Sequence, residues 1–154
     1  MKILNVSNHK LTQEQIQMIQ DYFDSEDSVE IVELPDNIRE QFKNLPPDIK
    51  TRKDIAMKII KYIEKSDIDV VHVDGEAHFT FILVNYIFDY WADRRIFKFY
   101  SKRESVEQTL PDRSVIKRHI FKPVTIIEYW RIINGSQDRP VNLFNKRRNY
   151  DHWN

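Results

Sequence analysis

The sequence predicts an α/β fold, a mostly parallel sheet flanked by helices that ends in a C-terminal antiparallel β-β element. Three observations carry this. Short β-rich runs alternate with longer runs whose apolar residues recur at helical spacing. The last two apolar runs are separated only by Lys122 and Pro123, too little for an intervening helix. A chain of 154 residues that is 41% hydrophobic and 12% aromatic can bury one real core.

The elements follow in order. KILNV (2–6) alternates and opens as a strand. Thr12 and Gln15 have the spacing of a capping box, and Ile16, Ile19, Tyr22 and Phe23 then share one helical face. SEDS breaks that helix. VEIVELP (29–35) alternates apolar and acidic residues and stops at Pro35. Residues 36–50 read as a weak helix and an LPPD turn. From Asp54, Ile55, Ile59, Tyr62 and Ile63 mark a strong helix. DVVHVDG (69–75) is a strand, and residues 76–91 form a helix with Phe79, Leu83, Tyr86, Ile87 and Tyr90 in one stripe. RIFKFYS (95–101) is a strand. KRESVEQTLPDRS reads as a surface loop with a short helical piece, and residues 114–121 and 124–133 as two strands. The expected division is a Rossmann-like domain over 1–133 and a polar, basic appendage over 134–154.

Acidic and basic residues balance, 24 against 24, so no global field draws the chain to DNA or to membranes. There is no cysteine, which excludes disulfides, thiolate metal sites and a cysteine nucleophile. That composition suits a reducing cytoplasm. MKILNVSN is too short and too polar to be expected as a signal peptide. No apolar run approaches the roughly 20 residues that span a bilayer.

Open parallel sheets bind ligands beyond the carboxyl ends of their strands. That rule selects Ser7-Asn8-His9, Asp74-Gly75-Glu76 and Ser101-Lys102-Arg103-Glu104. Gly75 is one of two glycines in the chain. At a strand-to-helix turn it permits a positive φ or a close approach to the backbone, and the helix end behind it would welcome an anion. A tight turn that needed a glycine is the plainer account. Glu76 would either complement the helix dipole or hold a ribose hydroxyl. Lys102 and Arg103 suit phosphate, and Ser101 could orient one; the three also fit an ordinary solvated charge run. His9 and His119 are candidate proton-transfer groups near neutral pH, with a plain loop and a solvent-facing strand position as the alternatives.

Three other chemistries have weaker signals in the sequence. His72, Asp74, Glu76 and His78 alternate as metal ligands would, but the chain changes there from strand to helix and no spaced zinc motif occurs. No cofactor and no metal is expected. No G-x-S-x-G elbow accompanies Ser7 or Ser101. Lys146, Arg147 and Arg148 near Tyr150 and Trp153 form a small basic-aromatic patch that could touch RNA or be a solvated tail.

KILNVSNHKLTQEQI, ELPDNIREQFKNLPPD, VVHVDGEAHFTFILVNYIF, FYSKRES and VIKRHIFKPVTIIEY occur in that order over residues 1–129. In this order of segments the chain resembles the short stand-alone CARF-like ring nucleases of type III CRISPR loci. The resemblance implies a homodimer that binds cyclic tetra-adenylate and opens it without metal, switching off an antiviral signal. It implies transesterification, with a ribose 2′-hydroxyl attacking the adjacent phosphate. Lys102 and Arg103 would then stabilise charge and His9 would move the proton. Ser7, Asn8, Asp74, Gly75, Glu76 and Ser101 would hold the ligand. A sensor or sponge that binds without cleaving, and an interaction domain with no nucleotide ligand, are the competing readings.

Overall fold

A computed structural model describes residues 1–24 and 28–130, and the backbone of residues 132–133 and 136–137. The order is β1 (Lys2–Val6), α1 (Gln13–Phe23), β2 (Glu30–Glu33), α2 (Asp36–Lys43), α3 (Ile49–Lys65), β3 (Val70–Val73), α4 (Ala77–Tyr90), β4 (Arg95–Thr109) and β5 (Val115–Glu128). Two short strands, β6 (Ile132–Ile133) and β7 (Ser136–Gln137), pair with each other. The chain therefore has the predicted mixed α/β architecture. The appendage expected from 134 onward, with its Lys146–Arg148 patch, lies almost wholly outside the described residues.

The main sheet runs β2-β1-β3-β4-β5. β1 pairs in parallel with β2 and β3, β3 pairs in parallel with β4, and β5 is antiparallel to β4. The order follows from handedness. Right-handed crossovers from β1 to β2 and then from β2 back to β3 move in opposite directions, so α1 lands on one face and α2, α3 and α4 on the other. Two cores result. Leu4 and Val71 of the sheet share one core with Phe42 of α2, Ile59 of α3, and Leu83 and Ile87 of α4. Ile3, Val70, Phe97 and Phe99 pack under Ile19 and Phe23 of α1.

The capping box is present: Gln15 N–H donates to Thr12 Oγ1 at 3.2 Å, and Thr12 N–H to Gln15 Oε1 at 2.9 Å. α3 starts five residues before the expected Asp54. Its first turn has few apolar residues to reveal it. Asp48 caps it instead, accepting from Lys50 N–H at 3.0 Å and from Thr51 N–H at 3.2 Å.

The larger correction concerns residues 102–114. The expected loop is strand: β4 continues to Thr109 and β5 begins at Val115. A turn closes the pair, with Arg113 N–H donating to the Leu110 carbonyl at 2.9 Å and Arg113 at φ 68°. The two strands expected at 114–121 and 124–133 are one strand as far as Glu128. A register shift opposite Tyr100 and Ser101 leaves Val124 as an extra residue, beside Pro123, which has no N–H to give a ladder. That bulge produced the apparent break.

Candidate functional site

The strand order reverses between β1 and β3, so the chain leaves their carboxyl ends toward opposite faces of the sheet and a crevice forms there. Val6 and Val73 are register partners, and Asp74 N–H donates to the Val6 carbonyl at 3.0 Å. The two polar turns that follow are thereby brought side by side. A cavity of about 230 Å³ opens between them, lined by Ser7, Asn8, His9, Asp74 and Gly75 among others. Five of the nine residues that the resemblance assigns to the site meet here. Lys10, Gln15 and His72 complete much of the wall.

The cavity floor is a buried polar network. Asn5 on β1, only 1% exposed, and His72 on β3, 2% exposed, are register partners facing α1. Asn5 Nδ2–H lies 2.9 Å from the His9 carbonyl and 3.2 Å from Glu33 Oε1. That orients the amide: its Oδ1 faces Ser7 Oγ and His72 Nδ1, each at 2.9 Å. His72 must therefore carry its proton on Nδ1, and Nε2 keeps its lone pair. Nε2 is buried without a partner. The imidazole lies 5.1 Å from the rings of both Phe97 and Phe99. Burial pushes its pKa down to about 4, because a charged imidazolium would lose its hydration there. His72 is neutral at physiological pH.

Asp74 is pushed the other way. Burial raises its carboxyl pKa, and nearby Lys98 and His9 only partly oppose the shift. Tyr129, whose hydroxyl donates to the Val73 carbonyl at 3.4 Å, is raised to about 12 by burial and then by the charge on Asp74.

Gly75 takes no left-handed φ, so of the two uses a glycine could have at this turn only the close approach remains. A Cβ on it would lie 2.8 Å from Phe42 Cζ. Phe42 is buried and meets Phe79 edge-on at 5.5 Å. The close approach that requires glycine is thus made by a ring of α2. Glu76 is the N-cap of α4: Oε2 accepts from Phe79 N–H at 2.8 Å and from Arg52 Nη1 at 2.8 Å. The Phe79 amide bond, helped by Arg52, holds its carboxyl below the usual range. Of the two roles open to Glu76, holding the end of α4 is the one its contacts show. His78 Nδ1 lies 2.9 Å from Arg52 Nη1, so His72 and His78 part company at the strand-to-helix change.

Ser101, Lys102 and Arg103 do not line the cavity. They stand at the base of the β4–β5 ribbon, paired with Pro123, Lys122 and Phe121. Lys102 and Arg103 are exposed and Ser101 is half-buried. His119 is also on the ribbon, exposed, with Nδ1 3.1 Å from Ser105 Oγ. Sequence reading missed Asn5 and Glu33, and weighed His72 only as a metal ligand. A signal was available: Asn5 interrupts an apolar strand at a position where alternation demands a core residue, and so does His72 opposite it.

No curated protein and no solved structure matches the chain. A family model does match, over residues 1–125, from β1 through most of β5. That span includes both turns of the cavity and the network beneath it, and by it the chain belongs to the uncharacterized protein MJ1673 family.

Proposed function

We propose that this chain binds cyclic tetra-adenylate at the carboxyl ends of β1 and β3 and opens it, as a metal-independent ring nuclease of the cytoplasm that ends type III CRISPR signalling. The observation that supports a ligand there is the cavity itself. It sits at the strand-order reversal, has polar turns on both sides, and has a fixed polar network below. The choice of ligand rests on the resemblance of the segments.

At about 230 Å³ the cavity is smaller than the roughly 300–1,000 Å³ of a complete small-molecule site. It suits one nucleoside of the ring, with the remainder across its mouth. A two-fold homodimer would give the ring a second such cavity. Ser7, Asn8 and Asp74 offer hydrogen bonds to base and ribose. The ribose 2′-oxygen attacks the neighbouring phosphorus as its proton passes to His9. The bond from phosphorus to the 5′-oxygen breaks, and that oxygen takes a proton from solvent and leaves as a free hydroxyl. The products are a 2′,3′-cyclic phosphate and a 5′-hydroxyl. In-line alignment and charge stabilisation do the work. Lys102 and Arg103 are the cations assigned to the phosphates, reaching the ring where it emerges from the cavity.

The position of those cations also favours a second reading, a sensor or sponge that binds without cleaving, because neither lines the cavity. Incubation with radiolabelled cyclic tetra-adenylate in EDTA separates the two. Linear products ending in a 2′,3′-cyclic phosphate are the expected result. Intact ring with a shifted band in a gel means binding only. Intact ring without a shift removes the ligand.

A further inference from the structure

Beyond Ser101 the two strands leave the sheet and continue as a ribbon to the turn at Pro111. Every residue from Lys102 to Thr109 is exposed, and so is every residue from Val115 to Lys122 except Ile116. A two-stranded ribbon alone in water is marginally stable, and long open strand edges invite pairing unless they are blunted. This ribbon also carries exposed Val106, Val115, Ile120 and Phe121. Register places Val106, Ile116 and Ile120 on one face, where Val106 stands opposite Arg118 with the two isoleucines diagonal to it, and Val115 and Phe121 on the other.

Its charge is lopsided. Residues 101–123 hold six Lys and Arg against three Asp and Glu, whereas residues 1–100 hold thirteen against eighteen. Lys102 stands directly opposite Lys122, a pairing that repels. Among the described residues the ribbon has one ion pair, Lys117–Glu107 at 3.2 Å. A basic arm with an aliphatic stripe therefore extends from an acidic body. A second copy of the chain supplies the acidic surface the arm lacks, and its neutral total charge does not oppose self-association. A nucleic acid would satisfy the cations but would leave the aliphatic stripe uncovered and would meet the acidic body behind it.

We propose that the β4–β5 ribbon is a docking arm for a second copy of this chain, laid against that copy's acidic body in a reciprocal two-fold exchange. The ligand reading also uses a two-fold dimer and Lys102 and Arg103 at the base of this ribbon; the arm itself rests on register and charge, so it can fail while capture of the ligand persists.

Sedimentation equilibrium of the full chain tests it. The expected result is a dimer whose dissociation strengthens with added salt. Its dissociation constant should rise at least about tenfold in the Val106→Glu/Ile120→Glu double variant. Hydrogen exchange on the unaltered protein keeps the test independent of that variant's folding. Ribbon amides should exchange more slowly as protein concentration rises. A monomer at every concentration overturns the proposal, as does a dimer indifferent to the double variant. Ribbon protection that is independent of concentration also overturns it, since a segment of the same chain would then cover the arm. So does a monomer whose ribbon is protected only by added RNA.

Discussion

The crevice between β1 and β3 and the β4–β5 ribbon are both polar, and they are polar for opposite reasons. In the crevice, Asn5 and His72 are polar although buried, and each hydrogen bond there fixes the next group. On the ribbon, Lys102, Arg103 and their neighbours are polar because nothing described covers them. Removing one group should therefore propagate in the crevice and stay local on the ribbon. The difference teaches where to look for function. A buried polar group with a committed orientation needs a reason beyond solubility, whereas an exposed charge does not.

The largest expected effect is in the crevice. Asn5→Ala removes the partner of His72 Nδ1, Ser7 and Glu33 together. Leaving buried polar groups unpaired should cost about 3 kcal/mol of stability, read as a lower urea midpoint. Acid should act on the same place. The folded pKa of His72, about 4, lies below its unfolded value near ~6.5, so the unfolded state takes up the proton first. Stability from this group is complete above about pH 6.5 and is lost as pH falls toward about 4, by up to about 3 kcal/mol. Urea midpoints across that window should drop in the natural chain and drop less in His72→Phe.

Gly75→Ala comes next, at about 2 kcal/mol, because the new methyl meets the buried Phe42 ring. Phe42→Leu should lower the added cost of the alanine, a coupling that a double-mutant cycle reads directly. A loss that Phe42→Leu does not relieve would mean that the turn, not the ring, demands the glycine. On the ribbon, Lys102→Ala/Arg103→Ala should leave the urea midpoint within about 0.5 kcal/mol while weakening capture of cyclic tetra-adenylate. Unchanged capture would remove both cations from the mechanism. The smallest effect is at the ribbon turn. Arg113→Gly relieves a left-handed φ of 68° and should stabilise by about 1 kcal/mol, visible as slower hydrogen exchange in residues 105–119 only.

Legibility in the sequence follows the same division. The body was readable because burial writes a period into it: Ile55, Ile59 and Ile63 along α3, and the alternation in β1. The helix cap at Thr12 and the polar turns at Ser7 and Asp74 announced themselves by residue type. The ribbon was unreadable as strand because neither face is buried, so alternation had no apolar side to show. Pro123 at the bulge then mimicked an interruption. Within the site, the turns were found by the rule for parallel sheets. The network was not, because single polar residues inside apolar strands look like noise until register places Asn5 beside His72. Gly75 was found for a reason that proved incomplete, since the Phe42 contact spans 33 residues of sequence.

The central claim is that the crevice at β1 and β3 is where the ligand sits. Backbone amide shifts of the full chain, followed by NMR as cyclic tetra-adenylate is added, test this most directly. The account predicts the largest changes at Ser7–Lys10 and at Asp74 and Gly75, with smaller ones at Lys102 and Arg103. Changes confined to the ribbon, or none at saturating ligand, would contradict it.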